Sequence, residues 1–580
     1  MIPSPYDTYT SPLATRNASE RMLRLWSPRH KFNTWRRIWL AVAEAQHEVT
    51  SGWGGISEAA SSGSPSTNRT PLVSKEQVEE LRRVVERGIT DDEIRAAEKY
   101  ERELRHDVMA HVHALGDSCP KAKGIIHLGM TSQDVNDNAD IAVMEQAYRL
   151  LMTKMRRVAI SFCDTALRWK ATPTLAFTHF QAAQPTTVGR RFAQWGYDVE
   201  YTRRRGGWEW ALKYRGLRGA TGTQASYLAL LGDSSLVDVL EAVFLNRVAR
   251  TIDSVSLLHE PLTLRSKAEV VHQLEHRIAR EEEDGNAAEV QFLQRTLDDV
   301  RDGPEGIFQI TEIEDRRASS TFELVTQTYP RVHDAQILSD LASCASVLHK
   351  IATDIRLLSN RKELDEPFES KQIGSSAMPY KRNPMRCERI CGLTRFVMNL
   401  VGNAYDTAAT QWLERTLDDS SNRRLSLPEA FLALDGALDL MHNVASGLIV
   451  HEAMVRKNLM AELPFMATEN ILMACVKLGG DRQHYHELIR VHAQDAGMRV
   501  KQEGLDNDLL DRLKNDRNFW SKARGGPLTA ELDWDNLMDP MKYVGRSVEQ
   551  TERFIRDVIE PLREQYKDEI SKLDESGPRV

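Results

Sequence analysis

Along most of this chain, apolar residues recur at steps of three and four. From Leu338 they fall at Leu341, Ala345, Leu348, Ile351, Ile355 and Leu358, the stripe of an amphipathic helix. That stretch predicts a rod about 30 Å long at about 1.5 Å per residue. A second stripe runs through Phe431, Leu434, Leu438, Met441, Ala445 and Leu448, and Pro428 ahead of it suits a first helical turn. Alternating apolar and polar positions between turn signals are scarce. The pattern predicts an all-α protein built on a bundle of long helices.

Two stretches depart from that plan. Residues 51–72, SGWGGISEAASSGSPSTNRTPL, are rich in Ser, Gly and Thr and read as a mobile loop. Residues 265–303 read as a charged helical hairpin. Val271, Leu274 and Ile278 line one arm, Asp284–Asn286 turns the chain, and Val290, Leu293, Leu297 and Val300 line the other. Its charged faces predict a surface insertion, within residues 240–318, that stands away from the chemistry.

At 580 residues the chain is too long for one simple core. It is expected to divide into an N-terminal helical domain at 1–130, a central bundle at 131–450 and a C-terminal helical domain at 451–580. A net charge of −8 disfavours nucleic acid and anionic membranes as partners. The N-terminus, MIPSPYDTYTSPLATR, lacks the apolar core of a signal peptide, and no run approaches the roughly 18 apolar residues that span a bilayer. Six scattered cysteines point to reduced thiols rather than a disulfide framework. The expectation is a soluble, cytoplasmic protein.

Several polar stretches interrupt the helical pattern. QIGSSAMPYKRNPMRCER, Gln372–Arg389, packs glycine, serines, prolines and cations between apolar helices. Consecutive N–H groups near Gly374 could form an anion-binding nest. A serine there, close to Lys381, would have its alkoxide stabilised, which a serine needs if it is to act as a base. A surface loop with solvated cations has the same composition. LRHDVMAHVH groups Arg105, His106 and Asp107, followed by His111 and His113. Those histidines do not share one helix face, and no HExxH or paired CxxC accompanies them, which disfavours a metal site. Cys387 and Cys391, four apart, read as packing residues.

His179, in FTHFQ, is either a structural histidine or a proton-transfer group. Thr131 and Ser132, in GMTS, precede a helical pattern, and capping would account for one of the two hydroxyls. Gln224 lies in the small-residue turn ATGTQAS. In ERTLDDSSNRR, Arg415, Arg423 and Arg424 flank Asp418, Asp419 and Ser420. They could grip a dianion by paired hydrogen bonds, or form a solvated charged face.

GSSAMPYKRNP resembles the signature loop of the fumarase/aspartase superfamily, GSSxMPxKxNP. With LRHDVMAHVH, GMTS, FTHFQ, TGTQAS, ERTLDDSSNRR and LPFMATEN (Leu463–Asn470), the set is similar to the adenylosuccinate lyases of eukaryotic type. The resemblance covers nearly the whole chain outside 51–72 and 240–318. It implies a three-domain helical fold whose central bundle forms the core of a homotetramer, with active sites shared between subunits. It also implies β-elimination of fumarate from adenylosuccinate, giving AMP, and from the succinyl-aminoimidazole carboxamide ribotide SAICAR, giving AICAR. No metal or cofactor is implied.

By the same resemblance Ser375 is the general base, and Lys381 with amides near Gly374 stabilises the aci-carboxylate that forms. His179 is the general acid that protonates the departing nitrogen, and Glu388 orients that histidine or the loop. Arg105, His106 and Asp107 form the substrate-binding triplet, while Thr131, Ser132 and Gln224 hold the succinyl group. Arg16, Asn17, Arg389, Arg415, Ser420 and Arg424 meet the nucleotide and its phosphate.

Two positions depart from the family's pattern. Asn17 stands where relatives usually carry Tyr, which puts a ring contact in doubt, and Ala182 replaces a common Pro after FTHFQ. A sister lyase acting on argininosuccinate or fumarate would share the loop but lack ERTLDDSSNRR and LRHDVMAHVH. A catalytically silent structural relative would need none of Ser375, Lys381, His179 and His106.

Overall fold

The computed structural model describes residues 7–52, 71–205, 212–252, 267–283, 287–302, 321–369, 371–374, 376–378, 380–519, 532–573 and 579. The turn expected at Asp284–Asn286 and nearly all of the 51–72 loop lie outside the described residues.

Helices dominate. α1 (Pro28–Gly52) is followed by α2 (Lys75–Arg87), α3 (Asp91–Leu104) and α4 (Asp107–Ser118). Ser74 and Thr90 open α2 and α3 with capping boxes completed by Gln77 and Glu93. α5 (Ser132–Arg168) has 37 residues, a rod of about 55 Å. It is buried nearly all round, through Val135, Ile141, Met144, Leu151, Met155, Val158 and Phe162, which makes it the bundle's central helix. Its buried charges meet partners, as a dry interior requires: Arg331 donates to Asp137 (3.0 Å) and Lys154 to Asp435 (2.5 Å).

A two-stranded antiparallel hairpin follows, β1 (Pro173–Thr178) and β2 (Gln181–Thr187). The helical reading did not anticipate it. Its short Thr-, Ala- and Gln-rich strands carry no clear apolar alternation. The two-residue turn has both central residues left-handed, His179 at φ 52° and Phe180 at φ 58°, the twist that suits a tight hairpin.

Next come α6 (Val188–Arg205), α7 (Ser234–Ile252), α8 (Lys267–Glu283) and α9 (Ala287–Asp302). Leu240, Phe244 and Val248 of α7 belong to the main core, so the chain from 240 to 248 packs into the core and is not surface insertion. α8 and α9 form the expected hairpin arms, closed by a small core of Ile278, Leu293 and Leu297.

α10 (Val332–Asn360), α11 (Met385–Ala409) and α12 (Asp418–Gly447) complete the bundle. Every residue of the first predicted stripe is buried in α10, although the helix begins earlier than that stripe. α12 also begins early, leaving Pro428 inside it and not in its first turn. Asp418 and Asp419 favour a start there through the helix dipole, and bundle packing tolerates the lost proline hydrogen bond. α12 runs parallel to α5. Arg423 meets Asp140 (3.0 Å), Lys154 meets Asp439 (2.7 Å), and Thr165 donates to the Ala445 carbonyl (2.9 Å).

Beyond the end of α12, β3 (Leu364–Asp365) pairs with β4 (Ile449–Val450), and α13 (Glu452–Met466) packs on the β1–β2 hairpin. The main core gathers residues from Leu13 to Leu573, and a second gathers Ile471, Cys475, Tyr485, Ile489 and Phe519. All six cysteines are unpaired and buried. Among the described residues no single helix is long and apolar enough to cross a membrane.

Candidate active site

Arg105 ends α3 in the left-handed conformation, φ 54°, and His106 caps α4, its Nδ1 accepting from the Met109 N–H (3.3 Å). The other ring nitrogen, Nε2, lies 3.3 Å from Ser132 Oγ at the start of α5. Thr131 is the N-cap of α5, and its N–H donates to Asp134 (2.8 Å). Asp107 accepts from Arg424 of α12 (2.5 Å). Burial works against that carboxylate, but Arg424, the Val108 amide and Lys31 hold its pKa below the ordinary range. Lys31 belongs to the same cluster. Burial lowers its ammonium pKa, and Asp140 and Asp107 oppose that fall while Arg424 and Arg423 add to it.

A second set sits on the same end of the bundle. Gln224, left-handed at φ 59°, donates through Nε2 to the Leu217 carbonyl (2.9 Å). Arg415 donates to Asp419 (3.0 Å) and Gln327 (3.2 Å), and Gln327 donates to the Ala220 carbonyl (3.1 Å). That chain ties Arg415 to the Gln224 turn. Asp134 fixes the turn on α5 by accepting from Arg215 and from the Arg218 N–H (2.9 Å). Ser420 and Arg424 stand one turn apart on α12, on one face. Arg423 does not join them. It is buried and donates to Asp334 (2.7 Å), Asp140 (3.0 Å) and Tyr329 Oη (2.5 Å), so it holds helices together and is withdrawn from any dianion.

The other candidates lie farther along the bundle. Arg16 belongs to Leu13–Asn17, a wide turn closed by the Ala18 N–H on the Leu13 carbonyl (2.9 Å). It faces Arg389 on α11, whose pKa is lowered first by burial and then by the Arg16 charge. Asn17 donates to the Pro12 carbonyl (3.1 Å), folding back on its own turn. Glu388 is exposed in the first turn of α11.

In the signature loop, Ser375 lies outside the described residues and Lys381 is exposed. Asn383 donates to the Gly374 carbonyl (2.9 Å). A Cβ on Gly374 would collide with the Lys381 carbonyl, so close approach demands glycine there. Ile373 and Tyr380 stand 76% and 83% exposed, which leaves the loop's apolar side chains open to a partner or ligand. Pro367, at the loop's base, packs against Gly447 at the end of α12.

His179 sits at the exposed tip of the β1–β2 hairpin, whose strands follow the C-terminus of α5 and pack on α13. The candidates thus spread along the bundle, with the His106–Ser132 group at one end, the Arg16 turn against the middle of α12, and the His179 hairpin past the 37 residues of α5. Two residues that sequence reasoning missed also belong here. Lys31 shows only as one cation in an aromatic helix, SPRHKFNTW. Buried Glu366 accepts from the Arg386 (2.9 Å) and Cys387 (2.6 Å) amides, fixing the start of α11. It lies far ahead of that helix in sequence, so no local capping signal marks it.

Two family models match the chain: Lyase over residues 31–229 and 307–399, and Adenylosuccinate lyase C-terminus over residues 464–554. The chain is 39% identical to the adenylosuccinate lyase of Saccharomyces cerevisiae over 98% of its length and 99% of that protein. It is 40% identical to that of Schizosaccharomyces pombe, over 96% of each. Among solved structures, the 3-carboxy-cis,cis-muconate lactonizing enzyme of Pseudomonas putida superposes with a TM-score of 0.64 at 20% identity, over 94% of this chain and 98% of that one. The fumarate lyase of Mesorhizobium sp. BNC1 does so with 0.64 at 18% identity, over the same shares. These two share the fold. The near full-length identity carries the assignment further: the chain belongs to the adenylosuccinate lyase family.

Proposed function

We propose that this protein eliminates fumarate from adenylosuccinate, leaving AMP, and from SAICAR, leaving AICAR. Ser375 removes the proton from the succinyl carbon beside a carboxylate. The electron pair passes into that carboxylate, where Lys381 and the Gly374 amides stabilise it. It then returns to form the C=C bond as the C–N bond breaks, and His179 protonates the departing nitrogen. His106, Thr131, Ser132 and Gln224 hold the succinyl group. Arg16, Arg389, Arg415 and Arg424 counter the charge of phosphate and carboxylates, which a protein of net charge −8 must do locally.

A homotetramer with sites shared between subunits belongs to the same proposal, and its support is geometric. Elimination needs His106 and His179 within reach of one substrate, yet α5 separates their groups by about 55 Å in one chain. Antiparallel pairing of bundles brings one chain's Ser132 end to another's hairpin end. Exposed Trp412, Leu413, Leu417 and Leu425 (68–76% exposed) give such pairing an apolar surface. The second core within Ala467–Leu532 supports a separate C-terminal unit over that span, while Val455, Ile555, Ile559, Leu562 and Leu573 join the main core. The cytoplasm is the proposed location.

The observation that carries the reading is the near full-length likeness to adenylosuccinate lyases. Its test is to mix the purified protein with adenylosuccinate and follow AMP and fumarate. Equimolar release of both is expected, and no turnover by the folded protein would contradict the reading.

A further inference from the structure

The wide turn that carries Arg16 is held by α12. Asp435 is fully buried, and its Oδ2 accepts from the Ser19 N–H at 2.7 Å, just past the turn. Its Oδ1 receives Lys154 at 2.5 Å, and Lys154 also reaches Asp439 (2.7 Å), which Arg157 bonds in turn (2.9 Å). The next residue, Gly436, lies directly under the turn. A Cβ there would stand 2.6 Å from the Asn17 carbonyl oxygen and 2.9 Å from its carbon. Those are backbone atoms, which cannot swing aside as the end of a side chain would. From another side, Arg579 donates to the Ala14 (2.8 Å) and Ala18 (3.3 Å) carbonyls.

Glycine is a poor choice for the middle of a 30-residue helix, where alanine is the better helix former. Its presence is explained by the close approach of Asn17. Arg389 feels the Arg16 charge, so the seating of the turn sets how the two cations stand to each other. We infer that Asp435 and Gly436 are positioning residues, which seat the Leu13–Asn17 turn and aim Arg16, beside Arg389, at the substrate's anionic group. The inference rests on the proposed role of Arg16 in binding that anion.

The test is a double-mutant cycle on KM for adenylosuccinate, with Arg16→Ala and Gly436→Ala made singly and together. Each single change is expected to raise KM about tenfold with kcat little changed, the loss of one charge-assisted contact, and the double variant should be no worse than either. A merely structural glycine would give additive effects, and additivity overturns the inference while leaving Arg16 as a ligand. If Arg16→Ala leaves KM unchanged, the role of Arg16 falls and the inference falls with it. Asp435→Asn offers a second route should Gly436→Ala not fold. Its single amide oxygen serves either the Ser19 N–H or Lys154, not both, so its effect on KM should likewise vanish in the Arg16→Ala background. An effect that persists there overturns the inference.

Discussion

A serine hydroxyl is far too weak an acid to lose its proton unaided, so a serine base needs cations or oriented amides close by. Lys381, six residues on, and the tight Gly374 backbone are the groups that would supply them. If Ser375 is the base, Ser375→Ala should keep fold and assembly while lowering kcat by about 10²–10⁴, the usual worth of a positioned base. Steady-state kinetics with adenylosuccinate check this, and near-native turnover would remove Ser375 from the role. At this scale the sequence offered candidates where polar residues cluster between helical stripes, as around His106, His179 and Arg424. It was silent on partners remote in sequence. Nothing near Asp107 announces Arg424, and nothing near Arg386 announces Glu366. Arg423 and Arg424 look alike in the chain, yet one is buried among carboxylates and the other exposed.

Among the elements, α3 and α4 matter because their junction presents Arg105, His106 and Asp107. Glu93 locks that pair of helices in place. Its carboxylate accepts from the Thr90 amide (2.8 Å), Arg36 of α1 (3.1 Å), Arg87 (2.7 Å) and Ser118 at the end of α4 (2.6 Å). Burial opposes the charged form, but Ser118, Thr90 and Arg36 outweigh it and pull the pKa from 4.5 to about 2. Because the folded value lies below the unfolded one, the stabilisation is present above pH 4.5. It is lost as pH falls from there toward about 2. Glu93→Gln should therefore lower Tm at neutral pH and flatten its fall between about pH 5 and 2; an unchanged slope would show that Glu93 is not the group involved. Long helices were legible because burial writes a regular stripe, as in α10. The β1–β2 hairpin was not, since its strands are short and its geometry comes from a left-handed turn at His179 and Phe180. Pro428 misled for a related reason: it marks a helix start only where packing does not override it.

For the whole molecule, the bundle legible in the sequence is the basis of the proposal that sites are shared between subunits. α5 holds the His106–Ser132 group at one end and the His179 hairpin at the other. The proposed sharing of sites rests on helix length, and the exposed apolar residues around Trp412 and Leu425 fit the surface such sharing needs. Sequence could suggest the assembly only through family resemblance, because the distance along a helix becomes visible once its ends are placed. The direct test mixes His106→Ala and His179→Ala proteins, each nearly inactive alone, under conditions that exchange subunits, and follows fumarate release from adenylosuccinate. Random assortment of equal amounts should leave about a quarter of the sites with both histidines and restore a comparable share of native activity. Hybrids that form but stay as inactive as the parents would contradict a site shared between subunits.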